Sequence, residues 1–391
     1  MRRIGLLCGT FDPVHLGHIK VAQACLTALY LDKVLFVPLE RSFTRLADAS
    51  PRHRAEMIRI AISGIKGLEV SDAFAETGAR HEVDILASFK KSYPDAEFVY
   101  MIGANKAASV PTWKNAEALF RQCSFAIFPR MGYNARELSH FLISHGARAS
   151  VIPVEQLSMS SVQIRAQIRL LSDAPGKLAG DVAEYIASNG LYQPDYDRMV
   201  SQAVSPARFV HSKGVRQTAV RLARRYSLPM QKAGVAGILH DCAKNMELSR
   251  LQTIAKRAKL PLDPLTLSSN ALLHGPVGAQ VAKTRYHILD VHILDAIRYH
   301  TTGRAGMRAL ELAVFVADAI EPSRKYPGLQ VVREQAEEDL RLSALTSLVG
   351  TQEFVKTKGL RNSPLSFQAV EDLSRRLKTL TIEEDFGHIK N

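Results

Sequence analysis

Short apolar runs alternate with longer amphipathic stretches through the first half of the chain, and the alternation ends before the second half begins. The runs Ile4–Cys8, Lys33–Pro38, Glu97–Ile102, Ser124–Phe128 and Ala149–Ile152 are too short for helices and read as buried strands. Between them, Ile19–Leu29, Arg52–Ser63, Val83–Tyr93 and Ser161–Leu171 carry apolar residues at helical spacing. Strand and helix in turn predict a doubly wound α/β fold, a parallel sheet covered by helices on both faces. Near Asn189-Gly190-Leu191-Tyr192 the helical pattern stops and Pro194 follows, which marks a boundary. Beyond it strand-like runs nearly vanish, and Gly214–Tyr226, Ala233–Ala243, Gly278–Arg285 and Leu310–Ile320 predict an all-α second half. The expected domains are residues 1–193 and 194–380, with 381–391 as a polar tail.

With 391 residues, 46% hydrophobic and 23% charged, the chain has the composition of a globular protein large enough for two cores. No apolar run approaches the roughly 20 residues that span a bilayer. The stretch before Cys8 is too short for a secretory leader. Four cysteines without a C-x-x-C pair fit a reduced compartment, so a cytoplasmic setting is expected. A net charge of +13 invites anionic partners. The cations are dispersed, however, as at Arg221, Arg224, Arg225, Lys256, Arg257 and Lys259. Solvated helix faces and nucleotide phosphates account for them better than a nucleic-acid track.

Gly9-Thr10-Phe11-Asp12-Pro13-Val14-His15-Leu16-Gly17-His18 falls between the first predicted strand and the first predicted helix. A helix start offers unpaired N–H groups and a positive dipole end, and glycine lets the main chain approach a phosphate. Two imidazoles three residues apart share one face of the first turn, so both can donate to one triphosphate. Neither G-x-G-x-x-G nor G-x-x-x-x-G-K occurs, which disfavours ordinary dinucleotide binding and P-loop ATPases.

This string resembles the signature of nucleotidyltransferases with an H-x-G-H motif, and more closely the bacterial nicotinate-nucleotide adenylyltransferases. The likeness runs from Met1 to Gln193 and recurs at Ile102-Gly103-Ala104, Pro111-Thr112-Trp113 and Ser160-Ser161-Val162-Gln163-Ile164-Arg165. It implies that Gly9, Thr10, Phe11, His15, His18, Ser161 and Arg165 hold ATP, bound with magnesium. It also implies that Trp113 packs on the pyridine ring of nicotinate mononucleotide. Adenylyl transfer requires in-line positioning and charge stabilisation rather than a protein nucleophile. The acceptor side departs from the family pattern, with Arg80-His81-Glu82 for a Ser-Tyr-Thr stretch, Asn105 for an acid, and Leu39-Glu40-Arg41-Ser42 for a Pro-Pro-His-Lys-like loop.

The second half carries His211, His240-Asp241, His274, His300 and Asp318. Asp318 lies within the apolar run Ala313–Ile320, where a buried carboxylate is costly unless a cation compensates it. The segments Leu239-His240-Asp241-Cys242-Ala243-Lys244, His274-Gly275-Pro276, Arg298-Tyr299-His300-Thr301-Thr302-Gly303 and Asp318-Ala319-Ile320-Glu321-Pro322 resemble the HD-domain phosphohydrolases. More narrowly, they are similar to the symmetrical diadenosine tetraphosphate hydrolases. That resemblance spans Arg208 to Leu377. It implies iron, with manganese or cobalt as alternatives, on His211, His240, Asp241 and Asp318. It further implies that Arg208, Lys244, His274, His300, Thr301 and Arg324 contact nucleotide phosphates. His274 and His300 could instead hold a second metal. Lys244, four residues after His240, shares its helical face if that helix continues. His287 and His292 fall outside any matching motif and read as ordinary surface or core residues.

The expected function is bifunctional: adenylyl transfer from ATP to nicotinate mononucleotide, and symmetrical cleavage of diadenosine tetraphosphate to two ADP. Two alternatives remain at this level. One keeps only the hydrolase active, with the first domain as a nucleotide-binding regulatory module. The other is an RNA-binding or RNA-processing protein. The sequence leaves oligomeric state open.

Overall fold

The computed structural model describes residues 2–39, 47–71, 81–155 and 159–387, with side chains through 379. Arg80, Glu40, Arg41 and Ser42 of the diverged acceptor segments lie outside the described residues. So do residues 388–391 of the expected tail. The chain divides into two compact units, residues 1–168 with 174–185, and residues 169–173 with 186–391.

The first unit is built on six parallel strands: β1 (Arg2–Gly9), β2 (Lys33–Pro38), β3 (Leu68–Val70), β4 (Ala96–Gly103), β5 (Cys123–Phe128) and β6 (Arg148–Val151). Their order in the sheet is β3-β2-β1-β4-β5-β6. β1 runs down the centre, pairing Ile4 with Lys33 of β2 on one side and with Phe98 of β4 on the other. Ile4 and Leu6 are fully buried, as expected of a parallel strand covered on both faces. The order reverses between β1 and β4, and that crevice at the carboxyl ends of the strands is where such sheets take ligands. The loops after β1, β4 and β5 all open there.

The five expected strands are present. β3 is the addition, and its three residues with only Leu68 buried are too few to show a periodicity.

The second unit is helical. The helices Pro206–Arg225 and Met230–Leu239 pack backbone against backbone, because Gly237 has no side chain: a Cβ there would meet Arg216 Cα at 2.7 Å. This close crossing brings His211 and His240 together. Pro206–Arg225 begins well before the expected Gly214. Ser205 caps it by accepting from Arg208 N–H, and Pro206 occupies its first turn. Its buried face carries His211, Ser212 and Arg216, so the apolar periodicity fails where the helix supplies the site. Asn270–Arg285 also begins earlier than expected and runs through Pro276. The last helix, Pro364–Gly387, extends into the stretch expected to be a polar tail. Among the described residues, no helix is long and apolar enough to cross a membrane.

Candidate active sites

In the first unit, His15 caps the helix Leu16–Ala28 rather than lying within it, and His18 stands in the first turn. Their rings stack at 3.7 Å between centroids. The His15 backbone N–H donates to His18 Nδ1 at 3.2 Å. That nitrogen is therefore the lone-pair side of a neutral ring, and His18 Nε2 carries the proton and can donate.

The motif loop is fixed from beneath. The Asp12 carboxylate accepts from the backbone N–H of Asp48 at 2.7 Å and of Ala49 at 3.1 Å. Arg54, 1% exposed, donates to the carbonyls of Thr10 and Ala49 at 2.7 and 3.2 Å. Ser161 donates to the carbonyl of Pro13 at 2.9 Å. Beside the pair lies a cavity of about 630 Å³ whose lining includes Gly9, Thr10, Phe11, His15, His18 and Ser161. Glu82, Asn105, Lys106, Trp113 and Arg130 also line it.

Burial pushes the His15 imidazole from its usual 6.5 to about 4, with the Arg130 guanidinium adding repulsion, and His18 is likewise held well below its usual value. Both rings are neutral at neutral pH. An unfolded His15 takes up its proton near pH 6.5, but the folded ring does so only near 4. Stability of the first unit is therefore full above 6.5 and declines as pH falls toward 4. Its slope from this group is at most about 1.4 kcal/mol per pH unit. Thermal melts across that window should show the decline, with a shallower slope in His15→Asn; equal slopes would refute the assignment.

In the second unit, four imidazoles and two carboxylates converge. Nδ1 of His240 lies 2.7 Å from the Gly237 carbonyl, Nδ1 of His300 2.7 Å from that of Ile297, and Nδ1 of His274 3.2 Å from that of Asn270. Nδ1 of His211 lies 3.0 Å from a Glu321 carboxylate oxygen. Carbonyl and carboxylate oxygens only accept, so each Nδ1 carries the proton and each Nε2 turns a lone pair to the centre. Those lone pairs face more acceptors. His211 Nε2 stands 3.1 Å from Asp318 Oδ1, His240 Nε2 3.4 Å from Asp241 Oδ2, and His274 Nε2 3.1 Å from Asp241 Oδ1.

Among the described residues, Nε2 of His211, Nε2 of His240 and Oδ1 of Asp241 are buried without a hydrogen-bond partner. Lone pairs crowded in this way call for a cation. Two overlapping groups, His211 with His240 and Asp318, and His240 with Asp241 and His300, have ligand atoms close enough to share one. The donor set therefore fits a metal ion, and its outer hydrogen bonds are of the kind that orient metal-binding histidines.

Burial alone would raise the Asp241 carboxyl, but His240, His274 and His300 outweigh it and hold the group well below the carboxylate range. Asp318 is also lowered against its burial, by His211, His240 and Arg324. Arg208 donates to Asp241 at 2.9 Å, and Arg324 bonds to Asp318. Thr301 Oγ1 lies 3.1 Å from His300 Nε2.

A cytidylyltransferase-like family model matches residues 6–167, and an HD domain model matches residues 208–323. Over 199 residues the chain is 34% identical to a Bordetella avium protein named probable nicotinate-nucleotide adenylyltransferase, across 50% of this chain and 100% of the relative. Over 168 residues it is 40% identical to the symmetrical bis(5'-nucleosyl)-tetraphosphatase of Bacillus subtilis, across 43% of this chain and 90% of the relative. The chain belongs to both families. A Mycoplasma genitalium protein named probable nicotinate-nucleotide adenylyltransferase/Ap4A hydrolase is 28% identical over 365 residues, 91% of this chain and 99% of that one.

In the adenylyltransferase half, nearly all the residues singled out from the sequence line one cavity, and Arg165 does not. Arg165 is 5% exposed, and its guanidinium pairs with Asp48 at 2.9 Å and Asp12 at 3.6 Å, beneath the motif loop. Trp113 is pinned by its indole N–H donating to Ser109 Oγ at 3.2 Å and by an edge contact with Tyr100 at 5.9 Å. Sequence reasoning missed Lys106 and Arg130. Their signal was position: each follows the end of a strand at the crevice, Lys106 after β4 and Arg130 after β5.

In the tetraphosphatase half, the helix does not continue to Lys244; it ends at Leu239, with His240 as its cap. Lys244 reaches the cluster from the turn that follows, its Nζ 3.2 Å from His274 Nε2. Burial lowers its pKa, and Arg208 and Arg324 act in the same direction. His287 and His292 are exposed. Glu321 lies in the same segment as Asp318 and also belongs to the site, a role that its residue type and spacing do not reveal.

Proposed function

We propose that the chain is a bifunctional nucleotide enzyme, transferring AMP from ATP to nicotinate mononucleotide and cleaving diadenosine tetraphosphate into two ADP. One observation carries the reading: in each half, side chains from distant segments converge on a centre suited to phosphate chemistry. The Mycoplasma relative, named for both activities, supports the same pairing. Four free cysteines fit a reduced cytoplasmic setting.

In the transferase, an acceptor phosphate oxygen attacks the α-phosphorus of magnesium-bound ATP. One P–O bond forms, the bond to the bridging oxygen breaks, and pyrophosphate leaves. The chain supplies positioning and charge stabilisation. The His18 Nε2–H donates to a phosphoryl oxygen, His15 packs against it, and Ser161 keeps the loop in register. Trp113 serves the pyridine ring. Arg130 and Lys106 meet the negative charge that grows as pyrophosphate departs. Of these two cations Arg130 is expected to matter more, because its guanidinium is half-buried and has no carboxylate partner among the described residues. Arg130→Ala should lower kcat/KM for ATP about 10- to 100-fold, the equivalent of the roughly 1.5–3 kcal/mol of a hydrogen bond to a charged group. Steady-state kinetics with saturating acceptor reads this, and an unchanged value would remove Arg130 from the site.

In the hydrolase, His211, His240, Asp241 and Asp318 would hold an iron, manganese or cobalt ion. When bound, such an ion supplies Lewis acidity and makes water easier to deprotonate. Of the remaining residues, Arg208, Arg324 and Thr301 can donate to the phosphates, Lys244 stands where the leaving oxygen gains charge, and His274 and His300, whose Nε2 lone pairs face the centre, suit a second metal ion rather than a phosphate oxygen. Water adds to one of the two central phosphorus atoms, the middle bridging bond breaks, and both halves leave as ADP.

Mass spectrometry of products from the purified chain tests the proposal. The expected products are nicotinate adenine dinucleotide with pyrophosphate from the first pair of substrates, and ADP alone from the second. ATP with AMP would contradict symmetrical cleavage. Asn105 and Glu82 line the cavity where the acceptor side departs from the family pattern, which favours one second reading, an ATP-binding but non-transferring first half. The absence of dinucleotide product under any divalent metal would establish it.

A further inference from the structure

Glu321 follows Asp318 by three residues, at the end of the helix Ala309–Ile320, and is 2% exposed. One carboxylate oxygen accepts the Nδ1–H of His211 at 3.0 Å. The other accepts the backbone N–H of Ser323 at 2.8 Å, and the Ser323 hydroxyl also bonds to the group. Gly214, one turn beyond His211 on the same helix, leaves the space the carboxylate fills: a Cβ there would meet Glu321 Oε2 at 2.7 Å. The carboxylate is thus held in a built cradle and satisfied on both oxygens. His240, His274 and His300 rest their Nδ1 atoms on backbone carbonyls instead. Among the described residues, His211 is the one member of the four with a charged anchor.

We propose that Glu321 is a positioning residue for the metal site, holding the His211 ring and its proton so that Nε2 faces the centre as a strong donor. The proposal rests on the reading that a metal ion binds His211, His240 and Asp318. A carboxylate on Nδ1–H pins the tautomer, fixes the ring plane and raises the basicity of Nε2. The backbone anchors of the other three rings do the first two but carry no charge. His211 is therefore the ligand whose strength a single substitution can tune.

The test uses the full chain, stripped with chelator and titrated with Mn²⁺ for affinity and with Co²⁺ for its absorption spectrum. Thermal melting of the stripped protein reports folding separately. Glu321→Ala should weaken Mn²⁺ binding about 10- to 100-fold and alter the Co²⁺ spectrum. Glu321→Gln keeps the shape and an oxygen to accept the hydrogen bond but not the charge, and should recover only part of the affinity. Gly214→Ala should weaken binding without removing any ionisable group, and it decides the matter if Glu321→Ala does not fold. Wild-type affinity and spectrum in Glu321→Ala, or tight Mn²⁺ binding by Gly214→Ala, overturns the proposal alone. A wild-type chain that binds neither ion overturns both the proposal and the reading beneath it.

Discussion

His240→Ala and Asp241→Ala should each leave the chain without bound transition metal and reduce ADP formation from diadenosine tetraphosphate by more than about 100-fold, since even an outer partner of a metal ligand is worth 10- to 100-fold. The size of the effect follows from burial. His240 is fully buried, and its Nε2 has no hydrogen-bond partner among the described residues. Asp241 is the hub of the cluster, approached by His211, His240, His274, His300 and Arg208. Removing it takes away one of the proposed metal ligands and the carboxylate that the Arg208 guanidinium meets. Adenylyl transfer should be unchanged in both variants, which makes the first half a control for folding and handling. Metal content by elemental analysis and ADP by chromatography read the two losses. Full hydrolysis in chelator by the wild-type chain would remove the metal from the reaction.

His18→Ala should lower adenylyl transfer about 10²- to 10³-fold, the usual cost of losing one preorganised donor at the site of developing charge. The ring is a neutral donor whose tautomer is set by the backbone N–H of His15, so the loss falls on stabilisation of the phosphoryl oxygens. The substitution also strips that N–H of its acceptor and loosens the helix start where the triphosphate is expected. ADP formation in the second half should be untouched. A transfer rate within a few-fold of wild type would mean that the motif serves the fold alone.

Much of this was legible in the residues. β1, β2, β4 and β5 are near-continuous apolar runs, because strands buried on both faces need them, and so they appeared within a residue or two of their observed ends. The H-x-G-H string and the dispersed histidines were readable because their chemistry is unusual and local. What escaped depends on the third dimension. The first two turns of Pro206–Arg225 bury His211 and Ser212 instead of aliphatic residues, so no periodicity marks them. Asn270–Arg285 runs through Pro276, whereas the apolar spacing marks a helix only from Gly278. Arg165 carries the family motif but pairs with Asp12 and Asp48, acids whose approach no spacing rule reveals. Arg54, Arg130 and Glu321 are common residue types at unremarkable spacings. Only the folded chain brings them to a loop carbonyl, a nucleotide cavity and a histidine ring.

The central claim is that two independent phosphate chemistries share one polypeptide, and one assay addresses it directly. Wild type, His18→Ala and His240→Ala are each incubated with ATP plus nicotinate mononucleotide and, separately, with diadenosine tetraphosphate, and all products are identified by mass spectrometry. The expected result is a reciprocal pattern: His18→Ala makes ADP but no dinucleotide, His240→Ala makes dinucleotide but no ADP, and wild type makes both. Wild type forming neither product, or each variant losing both, would contradict it.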